Sequence, residues 1–195
     1  MIVKGLSHIH RKGIVHCDLK PENILVFPSL DKEIANYQLK IADFGLSKTK
    51  EEEVNVELWK SKPRGTPSYL SPEAFSGHID APMDIWALGC IVIEMLTGLP
   101  AWGESPLLIE ELRYLVEHHE LSPKKPQEIG FFCHDFLEKC FMKDPSKRWT
   151  ADRLLGSDGY AVGFLGSFFS LMALPKRSWS RTVLENRKVV QSIDT

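Results

Sequence analysis

The sequence predicts a mainly helical fold (α+β) carrying one small β-hairpin, and three features carry that expectation. "DIWALGCIVIEMLTG", from Asp84 to Gly98, is apolar on every side, as a helix enclosed by protein must be. Two amphipathic stripes follow, Leu108, Leu112, Leu115 and Val116, then Phe132, Cys133, Phe136, Leu137, Cys140 and Phe141. Strand character is confined to two short runs, Ile24–Val26 and Tyr37–Ile41.

In chain order, Ile2, Val3, Leu6 and Ile9 recur at helical spacing, and Gly13 after Arg11 and Lys12 is a C-terminal cap. The second strand alternates Tyr37, Leu39 and Ile41 with Gln38 and Lys40, the pattern of a half-buried strand. Pro28, Ser29, Asp31 and Lys32 mark the loop between the strands. From Asp43 to Glu73 the chain reads as polar and irregular, with a solvated charge run at Glu51–Glu53. Thr150 caps a last short helix through Leu155.

With 195 residues, 43% apolar and 26% charged, the chain supports one globular domain with its own core. A net charge of -2 supplies no electrostatic reason for a nucleic acid or an anionic membrane as partner. Cys17, Cys90, Cys133 and Cys140 lack C-x-x-C spacing and read as reduced thiols of an intracellular protein. Lys4, His8, His10 and Arg11 stand where a signal peptide would be apolar. The runs Ile85–Met95 (broken by Glu94) and Tyr160–Pro175 fall short of the ~18–20 residues of a membrane span. The expected address is the cytoplasm, with the nucleus as the alternative.

The chemistry concentrates in "GIVHCDLKPENILVF", where His16, Asp18, Lys20 and Asn23 sit between apolar edges. Phosphoryl transfer needs a carboxylate to orient the attacking hydroxyl, a cation beside the phosphate, and oxygen ligands for Mg²⁺. Asp18 and Lys20, two apart on an extended loop, emerge on one side. Asn23 lies where a turn brings its amide oxygen to a metal. Asp43, in "IADFG", adds a carboxylate directly after the second strand.

At this point the chain resembles the C-terminal lobe of a eukaryotic protein kinase. "HCDLKPEN" (16–23) resembles the catalytic loop and "DFG" (43–45) the metal-binding start of the activation segment. "GTPSYLSPE" (65–73) resembles the segment's substrate-docking end, "DIWALG" (84–89) the buried central helix, and "KDPSKRWTA" (143–151) the closing arginine motif. Each motif alone has a bland reading; five in family order over residues 1–155 do not. The resemblance implies that Asp18 is the catalytic base, Lys20 the cation near the γ-phosphate, and Asn23 and Asp43 the Mg²⁺ ligands. Leu25 then lies beneath the adenine of ATP, and Thr66 bridges Asp18 and Lys20, a pairing typical of Ser/Thr kinases. His16 and Phe44 resemble the lower half of the hydrophobic spine, Asp84 belongs to the central helix, and Glu73 with Arg148 resembles a buried ion pair. "KIADFGLSK", "RGTPSYLSPE" and "LEKCFMKDPSKRWTADRLL" are similar in particular to plant mitogen-activated protein kinase kinase kinases. A protein substrate is implied, a downstream MAP kinase kinase among the candidates.

Two departures modify that expectation. Cys17 stands where many kinases have an arginine that pairs with an activation-segment phosphate, so little dependence on such a phosphate is expected. The sequence also carries no G-x-G-x-x-G strand-loop and no V-A-I-K lysine; the glycines at 156, 159, 163 and 166 lack the spacing. The expected architecture is therefore a kinase C-lobe over 1–155, without an N-lobe, followed by a divergent and poorly ordered tail over 156–195. Loss of one preorganised electrostatic group costs ~10²–10³ in rate, so a poor kinase is expected. The competing reading is a non-catalytic module that keeps the Leu107–His119 surface and competes for the partners of an intact kinase.

Overall fold

The computed structural model describes residues 1–28, 37–53, 55–103, 109–118, 122–127 and 129–156. The expected tail beyond 156, the 29–36 loop and Leu108 lie outside them. The described elements are helices α1 (Ile2–Arg11), α2 (Val56–Ser61), α3 (Pro72–Phe75), α4 (Pro82–Thr97), α5 (Ile109–His118), α6 (Phe131–Cys140) and α7 (Ala151–Gly156) and one antiparallel pair, β1 (Ile24–Pro28) and β2 (Tyr37–Ile41). The mainly helical expectation with one hairpin thus holds among the described residues.

The pillar is α4. Every residue from Met83 to Glu94 is buried, and the helix stops at Gly98, whose φ of 72° suits a residue without Cβ. Around it α1 contributes Ile2, Leu6 and Ile9 and α6 contributes Cys133, Phe136, Leu137 and Cys140 to a single apolar cluster. At Gly89 the two helices α4 and α6 nearly touch: a Cβ there would lie 2.8 Å from Cys140 Cβ and 2.8 Å from the Phe141 ring. A second cluster, centred on Leu70, Phe75, Ile79 and Met83, packs under α3 and takes in Leu112 of α5.

The hairpin pairs Ile24 with Ile41 and Val26 with Leu39. Ile24, Leu39 and Ile41 lean on the main core while Gln38 and Lys40 face solvent, as the alternation predicts. Helix α1 meets α7 through Ser7 and Arg11, both donating to Asp152. Thr150 caps α7, its Oγ1 accepting from Arg153 N at 3.2 Å.

Two expectations need correction. The 43–73 stretch is not irregular throughout: α2 and α3 form within it. Helix α2 is started by Asn55, whose Oδ1 accepts from Leu58 N at 3.0 Å, and buries no residue, so hydrophobic periodicity could not reveal it. Second, Phe132 is not core. The buried set 133, 136, 137 and 140 follows i, i+3, i+4, i+7 and leaves Phe132 at its edge, 43% exposed.

The Gly89 contact generates a prediction. Gly89→Ala forces α4 and α6 apart and is expected to destabilise by about 1–3 kcal/mol despite alanine's better helix propensity. Urea unfolding followed by circular dichroism measures it; an unchanged midpoint contradicts the packing.

Candidate active site

The loop between α1 and β1 is shaped from below by one buried carboxylate. Asp84, in the first turn of α4, accepts from His16 N at 2.8 Å and Cys17 N at 3.0 Å, and contacts His10 Nε2 at 2.9 Å. Two successive amides converging on one side chain need an unusual backbone, and Cys17 supplies it with a φ of 68°. The turn carries Asp18 to the upper side of the loop.

Asp18 is 8% exposed and heavily engaged. Its Oδ1 accepts from Thr66 N at 2.9 Å and Thr66 Oγ1 at 2.6 Å, and its Oδ2 lies 2.8 Å from Lys20 Nζ. Lys20 Nζ also donates to Thr66 Oγ1 at 3.1 Å, closing a three-membered ring of polar groups. Asn23 donates its amide nitrogen to Asp18 O at 2.8 Å, which leaves its amide oxygen as the atom to offer a cation. Burial acts to raise the Asp18 carboxyl, but hydrogen bonds from Lys20 and Thr66 and the Lys20 charge outweigh it and hold the group below its ordinary value.

The second loop is attached to the first by backbone. Ala42 N donates to Asn23 O at 2.9 Å, and His16 Nε2 donates to Ala42 O at 2.9 Å while His16 Nδ1 accepts from Asp18 N. These bonds assign the Nε2–H tautomer to His16, whose ring meets Phe44 edge-on at 5.1 Å. Asp43, between Ala42 and Phe44, is exposed and has a φ of 61°, its Oδ1 accepting from Gly45 N at 3.2 Å. Leu25 lies half-buried on β1, opposite Lys40. Phe44 and Leu46 keep 44% and 42% of their surface exposed, an apolar edge above the loops. Among the described residues no three His, Cys, Asp or Glu side chains are grouped to hold a metal. Asn23 and Asp43 carry the side-chain oxygens of the two loops that the Ala42 N to Asn23 O bond joins.

The 64–73 segment is pinned at several points. Glu73 receives both terminal nitrogens of Arg148, NH2 to Oε2 at 3.0 Å. Arg148 further donates to Met142 O, Pro82 O and Lys143 O and lies 5.1 Å over the Trp86 ring, its side chain fully enclosed. Three contacts that sequence reasoning missed add to this. Tyr69 Oη donates to Glu94 at 2.7 Å, Trp102 Nε1 donates to Ser68 O at 3.1 Å, and Arg64 binds Glu52. The one available signal was Glu94, the lone charge inside an otherwise apolar helix after Asp84. Burial and the Glu94 charge push the Tyr69 phenol far above its ordinary range, so it stays a donor. Burial, then Asp84, push the Cys17 thiol up to about 12, so the residue is uncharged at neutral pH.

Two predictions follow from this geometry. Arg148→Ala strands the Glu73 carboxylate and is expected to cost roughly 3–5 kcal/mol; a melting curve matching the wild type refutes it. The depressed Asp18 group stabilises the fold above its unfolded value near ~4 and loses that contribution as pH falls through its lower folded value. The stability difference between wild type and Asp18→Asn should therefore be flat from neutral pH to about 5 and change only below about 4. Denaturant unfolding across that pH range reads it.

The family model for the protein kinase domain matches residues 1–158. Mitogen-activated protein kinase kinase kinase 20 of Arabidopsis thaliana is 41% identical over 157 residues, 79% of this chain and 44% of the relative. Mitogen-activated protein kinase kinase kinase 18 of the same plant is 40% identical over 157 residues, 79% of this chain and 43% of the relative. The MAP kinase kinase kinase wis4 of Schizosaccharomyces pombe is 34% identical over 166 residues, 79% of this chain and 11% of the relative. The chain thus spans under half the length of these relatives, and with five motifs, their geometry and the domain match in agreement, it belongs to the protein kinase family.

Proposed function

We propose that this chain carries the lower, catalytic-loop half of an ATP-dependent serine/threonine protein kinase that acts in a MAP kinase cascade. The observation that carries the reading is the closed ring of Asp18, Lys20 and Thr66, with Asn23 fastened to Asp18 beside it. Its components do different work. Asp18 presents a carboxylate that accepts a hydrogen bond from a serine or threonine hydroxyl and takes its proton as the oxygen bonds to the γ-phosphorus and the bridging oxygen departs with ADP. Lys20, 24% exposed at its side chain, places an ammonium where a transferring phosphate needs counter-charge. Thr66 fixes the distance between them, so that base and cation act at one point.

The residues fit Mg²⁺. Asn23, through its amide oxygen, and Asp43, through its carboxylate, would hold the ion, which would supply charge neutralisation of the phosphates. Leu25 offers the apolar floor for the adenine. The substrate is a protein hydroxyl, with a downstream MAP kinase kinase as the candidate that the kinship to MAP kinase kinase kinases supports. Cys17, uncharged, itself supplies no cation for a phosphate, which supports activity independent of phosphorylation there. The proposed address is the cytoplasm, with the nucleus as the alternative.

These residues form one side of a nucleotide site; the Gly-rich loop and lysine strand of a complete kinase are not in the 195-residue sequence. The competing reading, a non-catalytic competitor docking through α5, is separated by one experiment. Transfer of ³²P from Mg-ATP to myelin basic protein is expected for the wild-type chain at a low rate, and Asp18→Asn should abolish it. Absence of Mg-ATP binding at millimolar concentration in titration calorimetry leaves only the docking module.

A further inference from the structure

Arg64 has no role in the reading above, yet it is the most fully committed cation near the site after Arg148. It is 9% exposed, in a segment whose neighbours on the α2 side face solvent. Its Nε donates to Leu46 O at 2.7 Å and its NH2 to Ser47 O at 2.6 Å, while NH1 and NH2 both reach the Glu52 carboxylate, the latter at 3.2 Å. The guanidinium lies 5.0 Å over the Trp59 ring. A planar, forked donor can bind two consecutive carbonyls and a carboxylate at once; a lysine ammonium cannot.

The partners matter more than their number. Leu46 and Ser47 directly follow Asp43, Phe44 and Gly45, and Lys48 next to them exchanges both backbone hydrogen bonds with Val15, at 2.9 and 2.8 Å. On the other side of Arg64, Gly65 has a φ of 119° and lies so close to Cys17 O that a Cβ would sit 2.3 Å from it. Thr66 comes next and delivers two donors to one oxygen of Asp18. One side chain thus ties the stretch after Asp43 to the stretch that holds Asp18.

We propose that Arg64, clamped by the Leu46 and Ser47 carbonyls and neutralised by Glu52, is a positioning residue that sets the location of Thr66, and through it the orientation of the Asp18 carboxylate. Glu52 keeps the buried guanidinium compensated from within the chain, so closure of the segment needs no outside anion. The Arg64 hydrogen bonds hold the Glu52 carboxyl below its ordinary value, consistent with a permanently ionised clamp. The catalytic consequence rests on the kinase reading; the structural one does not.

The test uses Arg64→Ala, Arg64→Lys and Glu52→Gln in the full chain, with amide hydrogen exchange and phosphate transfer from Mg-ATP measured on each. In Arg64→Ala the Thr66 amide, displaced from the Asp18 carboxylate that accepts its hydrogen bond, should exchange roughly tenfold or more faster, while amides of 85–93 in α4 keep their protection. Misplacement of the reacting groups should lower kcat by about 10²-fold, with KM for Mg-ATP within about twofold. Arg64→Lys should fall between wild type and Arg64→Ala, and Glu52→Gln should raise Thr66 exchange less than either. Thr66 protection equal to wild type in Arg64→Ala, or lost in step with α4, overturns the proposal. If Arg64→Ala does not fold, Arg64→Lys decides: Thr66 protection at the wild-type level overturns it. Should the wild-type chain transfer no phosphate, the kinase reading fails, and Thr66 exchange still judges the clamp.

Discussion

The buried Asp84 carboxylate is the constraint from which the site is built. At 1% exposure it has three partners, the amides of His16 and Cys17 and the ring of His10. A charge in that position is tolerable only when its lone pairs are filled, and the cheapest donors are backbone amides of a loop bent to meet it. The bend puts Cys17 in the left-handed region, a conformation that costs a residue with a Cβ free energy and persists only where surroundings over-determine it. Asp84 is held in turn by α4, whose twelve consecutive buried residues leave it no freedom to shift. Rigid helix, buried acid, strained loop and presented Asp18 form one causal chain.

The upper part of the site is fixed in a different manner, by many moderate bonds distributed over a segment with little core of its own. Thr66 holds Asp18, Ser68 is held by Trp102, Tyr69 by Glu94, and Glu73 by Arg148. Each partner comes from a separate element or loop, so the segment's path depends on the complete lower bundle. Arg148 is the extreme case, since its donors also satisfy carbonyls at Pro82, Met142 and Lys143. Removing it leaves an acid and three carbonyls short of partners, and that multiplicity explains why a single arginine matters more than a surface ion pair such as Lys125 with Glu138.

Legibility in the sequence follows from these two modes. Periodicity exposed α1, α6 and β2, because burial against one core leaves a repeating apolar signature, and unbroken apolarity exposed α4 and β1. The grouping of Asp18, Lys20 and Asn23 was legible because they are close in sequence. Helix α2 was not, since it rests on an Asn55 cap and on packing beside α3 rather than on an apolar face. Nor were Arg64 with Glu52, or Tyr69 with Glu94: a side chain 12 or 25 residues from its partner leaves no local pattern. Phe132 failed for the opposite reason, an apolar residue that fits the stripe by type but sits at its edge.

The electrostatics of the ring bear on what Asp18 can contribute to phosphoryl transfer. A carboxylate that accepts two bonds from Thr66 and lies against Lys20 has its charged form stabilised, and a stabilised anion is a weak base. Its pull on a hydroxyl proton before bond formation is therefore slight. What it would offer instead is direction: a carboxylate held by Thr66, Lys20 and Asn23 has a fixed orientation toward an incoming hydroxyl. Proton transfer then becomes favourable only late, once the hydroxyl oxygen has gained positive charge by bonding to phosphorus. A loose transition state of that kind requires positioning more than basicity. The engagement of Asp18, which lowers its basicity, is thus compatible with the proposed reaction, in which the placement of Thr66 would govern the rate.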